Sequence, residues 1–209
     1  MKQSAMPVRA IAICAVVTML AQPYATAAED VGAARPAERP PGTAAPRNPA
    51  WASPVDTRRN LYRVTDTFYR SERLTRADVA QLRQLGVRTV INLRAFHSDN
   101  DVLEGSGIRQ VRIPLLTWKI DDTQIVRALG EIRAAQAEGP ILLHCQHGAD
   151  RTGLIAAMYR MTYQGWSKQQ ALEELQHGGY GFHSMWKNIP RYIRDVDMPA
   201  IRHALGIAE

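Results

Sequence analysis

Cysteine is nearly missing from this chain. Two occur in 209 residues, Cys14 and Cys145, which excludes a disulfide framework of any size. Cys14 lies inside an apolar stretch, residues 10–21, that follows Lys2 and Arg9 and leads to Ala25-Thr26-Ala27. Basic start, apolar run and small-residue site together read as a secretory signal peptide over residues 1–27. Its apolar part is too short for a membrane span, so no stable membrane insertion is expected after cleavage. Cleavage would remove Cys14, Lys2 and Arg9, leaving 24 basic residues against 20 acidic and a formal charge of +4 in place of +6. That excess carries no argument by itself, and the chain lacks the basic helix or aromatic platform of a nucleic-acid binder. A Cys-x-x-Cys redox pair is excluded because Cys145 would have no partner. The signal predicts a periplasmic or secreted protein, where an unpaired thiol is a liability unless it is used.

Internal repeats are also lacking. Residues 28–50 are rich in Ala and Pro without an apolar period, which predicts a flexible linker. Residues 51–209 are long enough for one domain with a single core. Residues 60–64 and 67–70 read as a hairpin. Thr75 is the expected cap of a helix that ends at Leu85 before Gly86. Residues 87–93 and 109–114 read as strands, and Asp121-Asp122-Thr123-Gln124 as a capping-box start to a helix presenting Ile125, Leu129 and Ile132 on one face. Pro140 opens a further strand. Helical patterns follow at 152–164, 167–176 and roughly 188–205. Strands alternating with helices, then helices alone, predict an α/β fold: one domain with a central, mostly parallel sheet flanked by helices.

The most informative stretch is His144-Cys145-Gln146-His147-Gly148-Ala149-Asp150-Arg151-Thr152-Gly153. It joins the apolar run Ile141-Leu142-Leu143 to the helical run that begins at Leu154. A loop that ends a strand and starts a helix turns its amide N–H groups inward, where the helix start also favours an anion. The same field favours a thiolate on Cys145. Arg151 can grip two oxygens of a phosphate while Cys145 attacks phosphorus. Those residue types at that spacing point to hydrolysis of a phosphomonoester.

The loop resembles the Cys-x5-Arg signature of the protein tyrosine phosphatase superfamily, in its small dual-specificity branch. Val90-Ile91-Asn92-Leu93-Arg94 resembles the strand that enters the site in that branch. Asn60-Leu61-Tyr62-Arg63, Tyr69-Arg70-Ser71 and Gly178-Gly179-Tyr180-Gly181 resemble its secreted bacterial subgroup, as does the signal-bearing N-terminus. The resemblance runs from about Trp51 to the C-terminus. It implies a dual-specificity phosphatase fold and a cysteine-dependent tyrosine phosphatase. It also implies a phosphorylated protein as partner, in that subgroup a membrane-anchored signalling protein linked to biofilm control. A monomer without metal or organic cofactor is expected.

Roles follow from the chemistry. Cys145 forms a phosphocysteine intermediate, and Arg151 with the N–H groups of Gln146, His147, Gly148, Ala149 and Asp150 holds the equatorial oxygens. Gly148 leaves room for the phosphate. Thr152 donates to the Cys145 sulfur, caps the helix, or does both. His144 orients the cysteine from behind. The general acid stays open between Asp121 or Asp122, Asp150, and no acid at all. The subgroup carries its acid slightly earlier in the loop than Asp121, where this chain reads Thr117-Trp118-Lys119. With an Asp as acid, a bell-shaped pH profile with a mildly acidic optimum is expected.

Alternatives differ by test. Phosphoinositides or inositol phosphates are the second substrate class, but no Lys or Arg stands between Cys145 and Arg151, and Asp150 repels a highly charged ligand. Arg94, Arg112 and Lys119 could offset this from the rim. A pseudophosphatase would bind phosphate without turnover. A sulfurtransferase also places Cys in a loop before a helix, but Arg151-Thr152-Gly153 favours phosphate. Zinc held by His144, Cys145 and His147 is disfavoured, since no second ligand pair is visible. Residues 178–183, glycine-rich and aromatic, read as a loop lining the site or a helix–helix turn.

Overall fold

The computed structural model describes residues 47–207. The expected signal peptide and residues 28–46 of the expected linker lie outside them. Residues 47–50, also expected to be linker, belong instead to the folded unit. Arg47 donates to Ala52 O, Gly178 O and the Tyr180 hydroxyl, and its guanidinium stacks on the Tyr62 and Tyr180 rings. A cation held by aromatic faces and carbonyls is fixed in place, which composition alone does not disclose.

Six strands form one sheet: β1 (Ser53–Asp56), β2 (Leu61–Thr65), β3 (Phe68–Ser71), β4 (Thr89–Arg94), β5 (Arg109–Leu115) and β6 (Ile141–His144), in the order β1-β2-β3-β6-β4-β5. The first three pair antiparallel, and β3, β6, β4 and β5 run parallel. β6 lies between β3 and β4 and is buried on both faces, which is why it reads as a continuous apolar run. Leu142 faces a cluster with Val90, Leu82 and Leu103, while Ile141 and Leu143 face the larger core. That alternation fixes the register of β6.

Helices α1 (Val79–Gln84) and α2 (Asn100–Leu103) cover the smaller cluster. On the other face pack α3 (Asp122–Glu138), α4 (Asp150–Tyr163), α5 (Lys168–His177), α6 (Asn188–Asp195) and α7 (Met198–Ala204). Ile125, Leu129 and Ile132 of α3 are fully buried, as their spacing predicts. Asp121 accepts from Gln124 N and so caps α3, but the Gln124 side chain does not return the bond, leaving half of the expected box. The helix expected over 188–205 is two helices, α6 and α7. Asp197 is extended and caps α7, and Pro199 in its first turn has no N–H to continue α6. α4 is buried all round except at Arg151 and Tyr163, so it runs through the core with its N-terminus at the carboxyl end of β6.

Candidate active site

The segment between β6 and α4 is a tight loop whose carbonyls are all bound away from its concave side. Cys145 O faces His144 Nδ1 at 3.1 Å, Gln146 O accepts from Arg73 N at 3.1 Å, and His147 O accepts from Asn60 Nδ2 at 2.7 Å. Gly148 O accepts from Arg70 Nη2 at 2.7 Å, and Ala149 O from Gly153 N at 2.8 Å. With the carbonyls committed outward, the amide N–H groups are left to line the hollow above Cys145. Ala149 precedes α4 and supplies no side-chain cap, so the first-turn N–H groups stay available to an anion. Gly148 has φ +70°, and a Cβ there would come within 2.5 Å of Ser71 O. Any other residue would therefore be both strained and obstructed.

Behind the loop stands a buried scaffold. Arg70 is 1% exposed, and its guanidinium lies 3.6 Å from the Tyr180 ring centre. Burial lowers the Arg70 pKa from its ordinary value, opposed by the nearby Tyr180 and Glu174. Tyr180 donates to Glu174 at 2.8 Å, and Glu174 also receives Ala52 N and a two-point contact from Arg160 at 2.9 and 3.1 Å. Burial pushes the Glu174 carboxyl up, but Arg160, Ala52 N–H and the Tyr180 hydroxyl together hold it below the usual carboxylate value.

His144 supports the cysteine from behind, as expected, through the Cys145 carbonyl. Its Nε2 meets Asp99 at 2.7 Å, and both side chains are essentially without solvent contact. Asp99, which the sequence did not single out, lies 4.0 Å from Arg94. Thr152 is fully buried inside the first turn of α4, because the helix starts at Asp150 rather than at Thr152. It is therefore not the N-cap, and its hydroxyl makes no hydrogen bond among the described residues.

Arg151 reaches toward Leu93 O and Leu115 O at 3.4 Å each, long contacts that hold it loosely at the carboxyl ends of β4 and β5. It opens on a cleft of about 210 Å³ lined by Arg94, Phe96, His97, Thr117, Trp118 and Gln146, among others. Burial lowers the Arg94 pKa from its ordinary value while Asp99 opposes this. Of the other expected rim charges, Arg112 holds Ala95 O through Nη2, and Lys119 sits in the turn after Leu116 without lining the cleft.

The three expected acids are placed apart. Asp121 caps α3, Asp122 accepts from the Tyr192 hydroxyl at 2.8 Å, and neither lines the cleft. Asp150 is 8% exposed and receives both His183 N and His183 Nδ1, each at 2.9 Å. Residues 178–183 thus form a loop packed against the phosphate loop. Asn60 fixes both at once, since its Nδ2 also donates to Tyr180 O at 2.9 Å. Asn60 itself is left-handed at φ 48°, a conformation asparagine tolerates.

A cysteine beneath inward amides, an arginine six residues further on and a helix start behind them define a cysteine-dependent phosphatase. The comparisons agree. Residues 51–188 match the family model for the DSP-PTPase phosphatase fused to NAD+ kinase. The chain is 44% identical over 169 residues, 80% of this chain and 76% of the relative, to the dual specificity protein phosphatase TpbA of Pseudomonas aeruginosa. It is 28% identical over 157 residues, 70% of this chain and 74% of the relative, to the inositol diphosphatase DSP5 of Arabidopsis thaliana. The crystal structure of a cysteine-to-serine TpbA in complex with phosphotyrosine superposes with a TM-score of 0.73 at 40% identity, covering 78% of this chain and all of that one. The chain belongs to the dual-specificity branch of the protein tyrosine phosphatases and is a cysteine-dependent phosphomonoester hydrolase.

Proposed function

We propose that this protein removes phosphate from tyrosine side chains of a phosphorylated protein outside the cytoplasm, with a membrane-anchored signalling protein as the partner. The location rests on the signal pattern of residues 1–27, and the substrate class rests on the cleft. Phe96 and Trp118 stand exposed in its lining beside Arg94 and Arg151, a setting that suits an aromatic phosphate ester. TpbA, whose complex holds phosphotyrosine, supports the same choice. Multiply phosphorylated inositols fit less well, because Asp150 stands in the loop where a further cation would help.

Cys145 Sγ attacks phosphorus, the bond to the phenol oxygen breaks, and the phenolate leaves with the electron pair and takes its proton from water. Water then cleaves the S–P bond, releasing inorganic phosphate and restoring the thiolate. Arg151 and the loop N–H groups neutralise the equatorial oxygens in both steps. No carboxylate lines the cleft among the described residues. A phenol needs less help from an acid than an alkyl alcohol does, so an acid-poor cleft favours aryl over alkyl esters.

Phosphate release from a phosphotyrosine peptide, a phosphoserine peptide and inositol hexakisphosphate, measured side by side, tests the reading. We expect turnover of the phosphotyrosine peptide above all, its loss in Cys145→Ser, and no decrease with a chelator. A series of aryl phosphates should show rates falling steeply as the leaving group becomes more basic, in Asp150→Asn as in the parent. A shallow dependence in the parent that turns steep in Asp150→Asn would make Asp150 the acid. Tight peptide binding without phosphate release would make the protein a pseudophosphatase.

A further inference from the structure

We propose that His147, Asp150 and His183 form a binding site for a divalent cation of the zinc class at the rim of the phosphate loop. Two imidazoles and a carboxylate make a donor set that zinc accepts. One ligand atom from each residue can be chosen so that all lie within 4.8 Å of one another. Two donors bound tetrahedrally to one ion at about 2.0–2.2 Å stand roughly 3.3–3.6 Å apart. His183 Nδ1 lies 2.9 and 3.1 Å from the two Asp150 oxygens, so an ion that replaces the proton between them need spread the pair only slightly.

His147 supplies the third corner. Its ring centre is 5.4 Å from that of His183, it is exposed, and its imidazole makes no hydrogen bond among the described residues. Its ring is therefore free to turn toward an ion whose other two ligand atoms lie within 4.8 Å of its own. The backbones that carry the ligands are already tied together. Asn60 donates one amide group to His147 O and Tyr180 O, and His183 N donates to Asp150. Little ordering remains to be done when the ion arrives, which is what makes such a site bind.

The site is distinct from the nucleophile, since none of its ligands is Cys145. It still reaches the chemistry, because His147 and Asp150 are members of the phosphate loop. An ion there clamps residues 178–183 to that loop and offers a means of regulating it. Binding itself does not depend on the phosphotyrosine reading above, and its failure would leave that reading intact.

The test uses the full chain carrying Cys145→Ser, which removes the thiolate as a competing ligand. Titration calorimetry with zinc chloride should show one equivalent bound at micromolar or tighter Kd. Adding His183→Asn, which keeps a donor for Asp150 but cannot replace imidazole as a ligand, should weaken binding by roughly 10–100-fold. His147→Asn should do the same. Zinc at a concentration that saturates the Cys145→Ser protein should raise its melting temperature, with the rise reversed by EDTA and smaller in the His183→Asn version. Equal affinity with and without His183, or no binding by Cys145→Ser at millimolar zinc, would overturn the site.

Discussion

The two sides of the cleft are built by different means. On the phosphate side every loop carbonyl has a partner, and Arg70, Tyr180, Glu174 and Arg160 form a buried train behind Gly148. On the leaving-group side Phe96 is 78% and Trp118 63% exposed. The buried side meets only the three phosphate oxygens that all monoesters share, so its geometry can be fixed once and held by the fold. The exposed side meets the part of the substrate that differs between esters. Rate enhancement resides in the first and selectivity in the second, and perturbing each side should separate the two.

Glu174→Gln attacks the buried side hardest. It leaves the Arg160 charge in the core without a counter-charge and, with the amide oxygen kept for Tyr180 and Ala52 N, sets an NH2 donor against Arg160 Nε. Breaking a buried pair in this way costs about 3–5 kcal/mol, measurable as a shift in the urea midpoint. The pH dependence has a definite sign. The folded-state Glu174 carboxyl is held below its ordinary value of 4.5, so the unfolded chain takes up the proton first as pH falls. The stabilisation from Glu174 is complete above that value and is lost as pH drops through the folded-state pKa. The deficit of Glu174→Gln should therefore be largest near neutrality and shrink on acidification, whereas a deficit that grew would contradict the assignment.

Arg151→Lys comes next and leaves the fold alone. Lysine keeps the charge but loses the two-point grip, and removing one transition-state donor of this kind typically costs about 10²–10³-fold in kcat. Hydrolysis of p-nitrophenyl phosphate should fall by that factor with an unchanged melting temperature. A loss under tenfold would mean that the loop amides alone hold the oxygens.

The same division explains what the sequence disclosed. The phosphate loop is contiguous, so its cysteine, glycine, arginine and helix start can be read from one line of residues. The α3 stripe of Ile125, Leu129 and Ile132 and the apolar run of β6 are legible for a similar reason, since periodicity records burial. His183 and Asp99 are not legible as partners, because they reach Asp150 and His144 across 33 and 45 residues. β1 escaped notice since it has four residues, one of them Pro54, which an edge strand tolerates. Asp121 and Asp122 suit a helix start as well as a catalytic acid, and composition cannot separate the two.

Trp118→Ala is the gentlest perturbation and the sharpest test of the exposed side. The side chain is mostly in solvent, so the change should move stability by no more than about 0.5 kcal/mol. An aromatic pair is worth about 0.5–1.5 kcal/mol beyond its buried area, which corresponds to roughly 2–10-fold in affinity. KM for a phosphotyrosine peptide should rise by that factor while kcat changes little, because ring contacts are made equally in ground and transition states. For an alkyl phosphate, which has no ring to stack, both constants should stay as they are. A fall in kcat for the aryl ester would instead place Trp118 in contact with the departing oxygen, and the exposed wall would then share in the chemistry.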